Sequence, residues 1–183
     1  MHPVIVIGPP RSGTSVITRL LQTHLGLMMD EGPILKDLAN PKGYFEDHRV
    51  VRINQIACKN WKPGVGHEKK IDPQWAIPMM KFAALRTLRY KTRWGWKDPR
   101  CIGFVTWVKE LFPNAIWIAT DRKDDQIIGS STEKLMDKES IKVALPAYRR
   151  LIAQHLPNRH IFDMTKRQSE SDLVKRMRKI LWL

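Results

Sequence analysis

The stretch Val4-Ile5-Val6-Ile7 runs straight into Gly8-Pro9-Pro10-Arg11-Ser12-Gly13-Thr14-Ser15, and together these residues have the makings of an anion cradle. Four β-branched residues predict a buried strand, and Val16, Ile17, Leu20 and Leu21 predict one face of the helix that follows. Between them, Gly8 and Gly13 permit turns that a Cβ would obstruct. The amides of Ser12 to Ser15 then point into one concavity at the positive end of a helix dipole. Arg11 adds a planar cation able to fork onto anionic oxygens. The two glycines keep the G-x-x-x-x-G spacing of a nucleotide-triphosphate loop, and Ser15 keeps its final hydroxyl. Thr14 stands where such loops carry lysine. The cradle therefore suits a phosphate-like group, held differently from the phosphates of an ordinary ATPase.

A second anion site follows from Ala115-Ile116-Trp117-Ile118-Ala119, a predicted buried strand that ends in Thr120-Asp121-Arg122. Arg122 at the strand's end and Ser130 on the next helix can converge on one anion. In a parallel sheet that edge also holds residues 8–15. Two anion sites on one edge imply a ligand with two separated phosphate-like groups.

In these features the chain resembles the sulfotransferase family, which uses 3′-phosphoadenosine 5′-phosphosulfate. Gly8 to Ser15 is similar to the family's 5′-phosphosulfate loop, and Arg122 with Ser130 to its 3′-phosphate motif. Ile161-Phe162-Asp163-Met164 with Leu173-Val174-Lys175-Arg176-Met177 resembles the late strand and closing helix. Asn40 to Asp47 and Trp96-Lys97-Asp98-Pro99-Arg100 resemble stretches of short bacterial-type members. The resemblance implies a three-layer α/β/α fold with a central parallel sheet, of the P-loop nucleotide-hydrolase kind. It also implies 3′-phosphoadenosine 5′-phosphosulfate as co-substrate with no metal, bound by Pro10, Arg11, Ser12, Gly13, Thr14, Ser15, Arg122 and Ser130.

Sulfuryl transfer requires that charge on the leaving phosphate be stabilised, that the acceptor proton be removed and that water be kept out. Arg11, the loop amides, Thr14 and Ser15 suit the first task, and Lys97 is a second cation at a strand end. Better-known cytosolic members carry a lysine, one residue, then a histidine base. Lys97 matches that lysine, but Pro99 occupies the histidine's place. Glu46 is the first candidate for the base, beside Tyr44 and Phe45. Asp98 is the second, although it can equally pair with Arg100 or orient Lys97. Glu31 and His48 follow.

Positioning these groups falls to strands at 4–7, 93–97, 115–119 and 160–163. Helices are expected near 15–24, 47–59, 77–90, 104–111, 124–135, 140–155 and 171–181. Ser169 and Asp172 offer a capping box for the last helix. Pro146 predicts a boundary or kink in the helix before it. Residues 28–48 and 60–75 read as loops, and the stretches 28–48 and 60–80 would shape an acceptor pocket. Trp61 and Trp75 flank the second and are candidates to stack on a sugar or adenine ring. Trp107, Trp117, Met28, Met29, Met79 and Met80 read as core. Alternating strands and helices argue for a parallel sheet covered on both faces, in one domain spanning 1–183.

The 183 residues, 43% of them apolar, suffice for one substantial core. No run approaches the roughly 20 apolar residues of a membrane span. The first strand leaves no room for a leader, so a cytoplasmic location is expected. Two cysteines, Cys58 and Cys101, make neither a metal cluster nor a disulfide framework. The net charge of +14 suits a polyanionic donor and leans toward an anionic small-molecule or carbohydrate acceptor. Two alternatives stay open: a P-loop kinase or ATPase, and a non-catalytic basic module for nucleic acid. No zinc-finger spacing or aromatic RNA-binding signature accompanies the basic clusters.

Overall fold

The computed structural model describes residues 2–31, 43–59, 71–90, 92–130 and 138–182. Four parallel strands, β1 (Val4–Ile7), β2 (Gly95–Lys97), β3 (Ile116–Asp121) and β4 (His160–Asp163), form one sheet in the order β2-β1-β3-β4. β1 pairs Val4 with Gly95 on one side and with Ile116 on the other, so it is central. An isolated parallel bridge joins Met28 to Trp94 and extends the β2 side. Because all strands are parallel, Ile7, Lys97, Asp121 and Asp163 end on the same edge, with the order reversing at β1. Such a switch point is where open α/β sheets bind ligands.

Helices cover both faces of the sheet. Val4, Val6, Ile118 and Phe162 pack against α1 (Thr14–Leu25) and α7 (Glu170–Trp182) through Ile17, Leu21, Leu173 and Met177. Ile5, Ile7, Trp117 and Ala119 face the opposite way, toward α2 (His48–Cys58), α3 (Pro73–Arg89), α4 (Val105–Leu111) and α6 (Lys138–His155). The alternation along each strand sends successive side chains into different layers. Completing the chain are α5 (Asp124–Gly129) and a 3-10 turn at Pro99–Phe104. This is the three-layer α/β/α arrangement expected. Among the described residues no helix is long and apolar enough to cross a membrane.

Several local expectations need correction. α3 starts four residues earlier than 77, because Asp72 accepts the Gln74 amide at 2.8 Å and Pro73 suits the first helical turn. Pro146 does not end α6. Leu145, Ala147, Tyr148, Leu151 and Ile152 are all buried around it, and their packing outweighs the cost of about 3 kcal/mol for an internal proline. Trp75 is fully buried, donates to Asn54 Oδ1 at 3.0 Å and packs edge-on to Phe104, so it is core and not a stacking platform. Met80 is exposed, unlike Met29 and Met79. Trp61 and residues 131–135 of the expected fifth helix lie outside the described residues. Ser169 Oγ accepts the Asp172 amide at 3.1 Å and bonds its carboxylate at 2.6 Å, so the pair meets at the start of α7.

Candidate active site

The loop after β1 lies at the switch point and is tied to β3. Ser12 is fully buried, and its hydroxyl shares a 2.6 Å hydrogen bond with the Thr120 hydroxyl. Gly8 sits at φ +156°, where a Cβ would lie 2.5 Å from Thr120 Oγ1 and 2.6 Å from the Thr120 carbonyl oxygen. Only glycine lets the loop approach β3 so closely. The Ser12 amide closes a turn on the Pro9 carbonyl at 3.1 Å, after Pro10. Gly13, at φ +98°, begins α1, and its carbonyl accepts from the Val16 and Ile17 amides. The first amides of α1, at Thr14 and Ser15, have no helical carbonyl to bond and remain donors for an anion.

Arg11 holds a left-handed backbone at φ +67°, a strained conformation for a non-glycine residue. Among the described residues its buried Nε has no hydrogen-bond partner. A guanidinium set in a strained turn with a buried donor unused is arranged to meet an anion.

A second segment crosses the same edge. Residues 43–47 turn at Gly43 (φ +97°) and Phe45 (φ +54°). Phe45 turns into the core, while the Tyr44 carbonyl accepts from both Ser15 Oγ at 3.2 Å and Lys97 Nζ at 3.1 Å. Glu46 then meets Lys97 Nζ at 2.6 Å and Arg100 Nη2 at 3.4 Å. Lys97, at the end of β2, is 3% exposed. The structure thus brings Ser15, Lys97 and Glu46 together, and Glu46 has two cations beside it. The strap is anchored from behind by Asp47. Asp47 caps α2 through the Arg49 amide at 2.9 Å and forms a buried ion pair with Arg86. Burial works against the Asp47 carboxylate, but hydrogen bonds from Arg49 and the charge of Arg86 hold its pKa below the ordinary value.

Asp98 takes a different place. It is fully buried and accepts from the Arg100 amide at 3.0 Å, Arg100 Nε at 2.7 Å and Asn54 Nδ2 at 2.8 Å. Both its oxygens are engaged below the strap, where it caps the 3-10 turn and fixes Arg100. Burial opposes the Arg100 charge, yet Asp98 and Glu46 raise its pKa above the usual value. Glu31 shares Arg49 and Arg86 with Asp47 and also meets Arg89, and His48 is exposed at the start of α2.

Arg122 follows β3 and bonds Gln126 Oε1 through Nε at 2.9 Å. It lines a cavity of about 610 Å³ together with Gly13, Met164, Lys166, Arg167 and Ser169. Ser130 ends α5, where its hydroxyl donates to the Ile127 carbonyl at 3.0 Å. The cavity wall supplied by the β4–α7 turn was missed from the sequence. Lys166 and Arg167 follow a strand end on the ligand-binding edge, and that position was the available signal.

A family model described as "Sulfotransferase family" matches residues 3–181. The chain belongs to the sulfotransferase family. No curated protein is significantly similar to it. Among solved structures, a shikimate kinase from Bacteroides thetaiotaomicron superimposes with a TM-score of 0.56 at 10% identity, over 100% of this chain and 99% of the kinase. The protein TT1252 from Thermus thermophilus gives 0.55 at 12% identity, over 99% and 97%. A deoxyadenosine kinase from M. mycoides with bound dATP gives 0.50 at 13% identity, over 98% of each chain. These likenesses establish that this sulfotransferase-family chain has the P-loop kinase fold.

Proposed function

We propose that this protein transfers a sulfuryl group from 3′-phosphoadenosine 5′-phosphosulfate to a hydroxyl or amine of a small-molecule or carbohydrate acceptor. The observation that carries the reading is the joining of Ser15, the Tyr44 carbonyl, Lys97 and Glu46 at the mouth of the loop. An anion cradle, a buried cation and a carboxylate meet there.

The donor's 5′ end sits on residues 10–15, where Arg11, Lys97 and the first amides of α1 offset charge on the leaving phosphate. Arg122 and Ser130 take the 3′-phosphate. Lys166 and Arg167 share Arg122's cavity and add cations on that side. The acceptor's oxygen or nitrogen attacks sulfur in line, the bond from sulfur to the phosphate oxygen breaks, and Glu46 takes the acceptor's proton. Asp98 positions Arg100 and does not touch the reacting atoms. The reading requires no metal, and the basic surface favours an anionic acceptor.

Calorimetric titration with 3′-phosphoadenosine 5′-phosphate, beside ATP with and without magnesium, tests the donor. Metal-independent binding of the bisphosphate that weakens at least tenfold in Arg122→Ala supports the reading. Binding of ATP with magnesium alone overturns it in favour of a kinase.

A further inference from the structure

The outer face of α3 differs from the rest of the surface. Ile77, Met80, Leu85 and Leu88 are 54%, 55%, 65% and 82% exposed. At 3.6 residues per turn they fall on one side of the helix, with Ala84 among them. Among the described residues the other exposed large apolar side chains are Val16, Val143 and Ile161, scattered over α1, α6 and β4. A groove of about 490 Å³ runs beside the stripe, lined by Ala84, Leu88, Trp94, Leu111 and Phe112 and by no acidic side chain. Lys81 stands within the stripe, and Arg89, with 71% of its side chain exposed, closes the C-terminal end. An apolar face of this kind marks an interaction surface.

Area and charge decide between its possible occupants. From Ile77 to Leu88 the stripe spans 12 residues, about 18 Å, and at about 10 Å wide it offers roughly 180 Å². A stable pair of proteins buries about 800 Å² per partner. A second copy would also bring together two chains of net charge +14. A lipid surface needs no complementary shape, gains from every apolar side chain that enters it, and attracts Lys and Arg when its headgroups are acidic.

We propose that the α3 face docks this protein onto acidic phospholipid bilayers, with Ile77, Met80, Leu85 and Leu88 entering the acyl boundary and Lys81 meeting the headgroups. The groove includes Pro3, just before β1, and Ala115, just before β3. It therefore lies at the edge where the strands begin, opposite the candidate active site. The C-terminal end of the stripe, at Leu88, is thus the end away from the candidate active site. The inference does not depend on which group the protein transfers.

The test is co-sedimentation of the whole chain with phosphatidylcholine vesicles, with and without phosphatidylserine. The expected result is salt-sensitive partitioning that needs phosphatidylserine. It should fall about tenfold or more in Leu85→Gln/Leu88→Gln and about fivefold in Lys81→Gln. Val143→Gln on α6 should leave it unchanged, and circular dichroism should show every variant folded. Equal partitioning of wild type and the double variant would show charge alone at work and overturn the proposal. Absence of partitioning overturns it as well. So does a concentration-dependent dimer that the double variant dissolves, which would assign the face to a second copy.

Discussion

Replacing Glu46 with glutamine separates the two things this side chain can do. It receives Lys97 Nζ at 2.6 Å and Arg100 at 3.4 Å, so it is an ion-pair partner whatever its role in proton transfer. Glutamine keeps an oxygen for Lys97 and nearly the same volume, and the Tyr44 carbonyl still holds the amine at 3.1 Å. The structural loss is the difference between a charge-assisted and a neutral hydrogen bond, about 1 kcal/mol. Losing the proton acceptor is a larger effect, because a positioned general base contributes about 10²- to 10⁴-fold in rate. At 1.36 kcal/mol per tenfold, that is about 3–5 kcal/mol of barrier. Glu46→Gln should therefore melt close to wild type and bind 3′-phosphoadenosine 5′-phosphate within a few-fold. Its sulfuryl transfer should drop at least about a hundredfold. The assay is the initial rate of bisphosphate release with a competent acceptor, run beside the titration. A variant that turns over within about threefold of wild type would refute the reasoning and leave Glu46 as a clamp on Lys97.

Three further outcomes follow from named contacts. Gly8→Ala places a Cβ 2.5–2.6 Å from two Thr120 oxygens and should cost about 2–4 kcal/mol in a denaturant melt, with loss of bisphosphate binding. A stable, binding variant would show that the loop can move away from β3. Asn54→Leu removes the partner of Asp98 Oδ2 and of the Trp75 indole, both buried. It should cost about 2–5 kcal/mol, read by the same melt, and slow turnover through a loosened Arg100. Burial and the charge of Asp98 push the Cys58 thiol up to about 11, and burial raises Cys101 well above its ordinary value. At pH 8 Cys58 should react with a disulfide reagent about a hundredfold more slowly than an unperturbed thiol, and faster as the pH rises toward 11, while Cys101, fully buried, should stay unreactive in the folded protein.

Much of this architecture was legible in the chain because local and global preferences agree there. Val4 to Ile7 could only be a buried strand, and Gly8 and Gly13 stand where the backbone must turn against Thr120 and Met164. α3 misled at its start because Pro73 falls within the stretch 60–75 that reads as a loop, whereas the Asp72 cap makes it the first residue of the helix. α6 has no boundary at Pro146 because packing around it outweighs the local cost that suggested one. The candidate site divides in the same way. Lys97 and Arg122 were legible as cations closing apolar strands, since a charge at the end of a buried run falls at the sheet's edge. Asp98 was ambiguous because its neighbours in sequence, Lys97 and Arg100, point to different surroundings. Only the fold brings Asn54, 44 positions away, onto its second oxygen. The Tyr44 carbonyl was not legible at all. A backbone acceptor has no residue type to announce it, and its role arises from the left-handed turn at Phe45 that sends the aromatic ring inward. Ser15 and Lys97, 82 positions apart, meet through that one oxygen. The junction of cradle, cation and carboxylate thus depends on a conformation, so substitutions at Phe45 should disturb the site through the backbone.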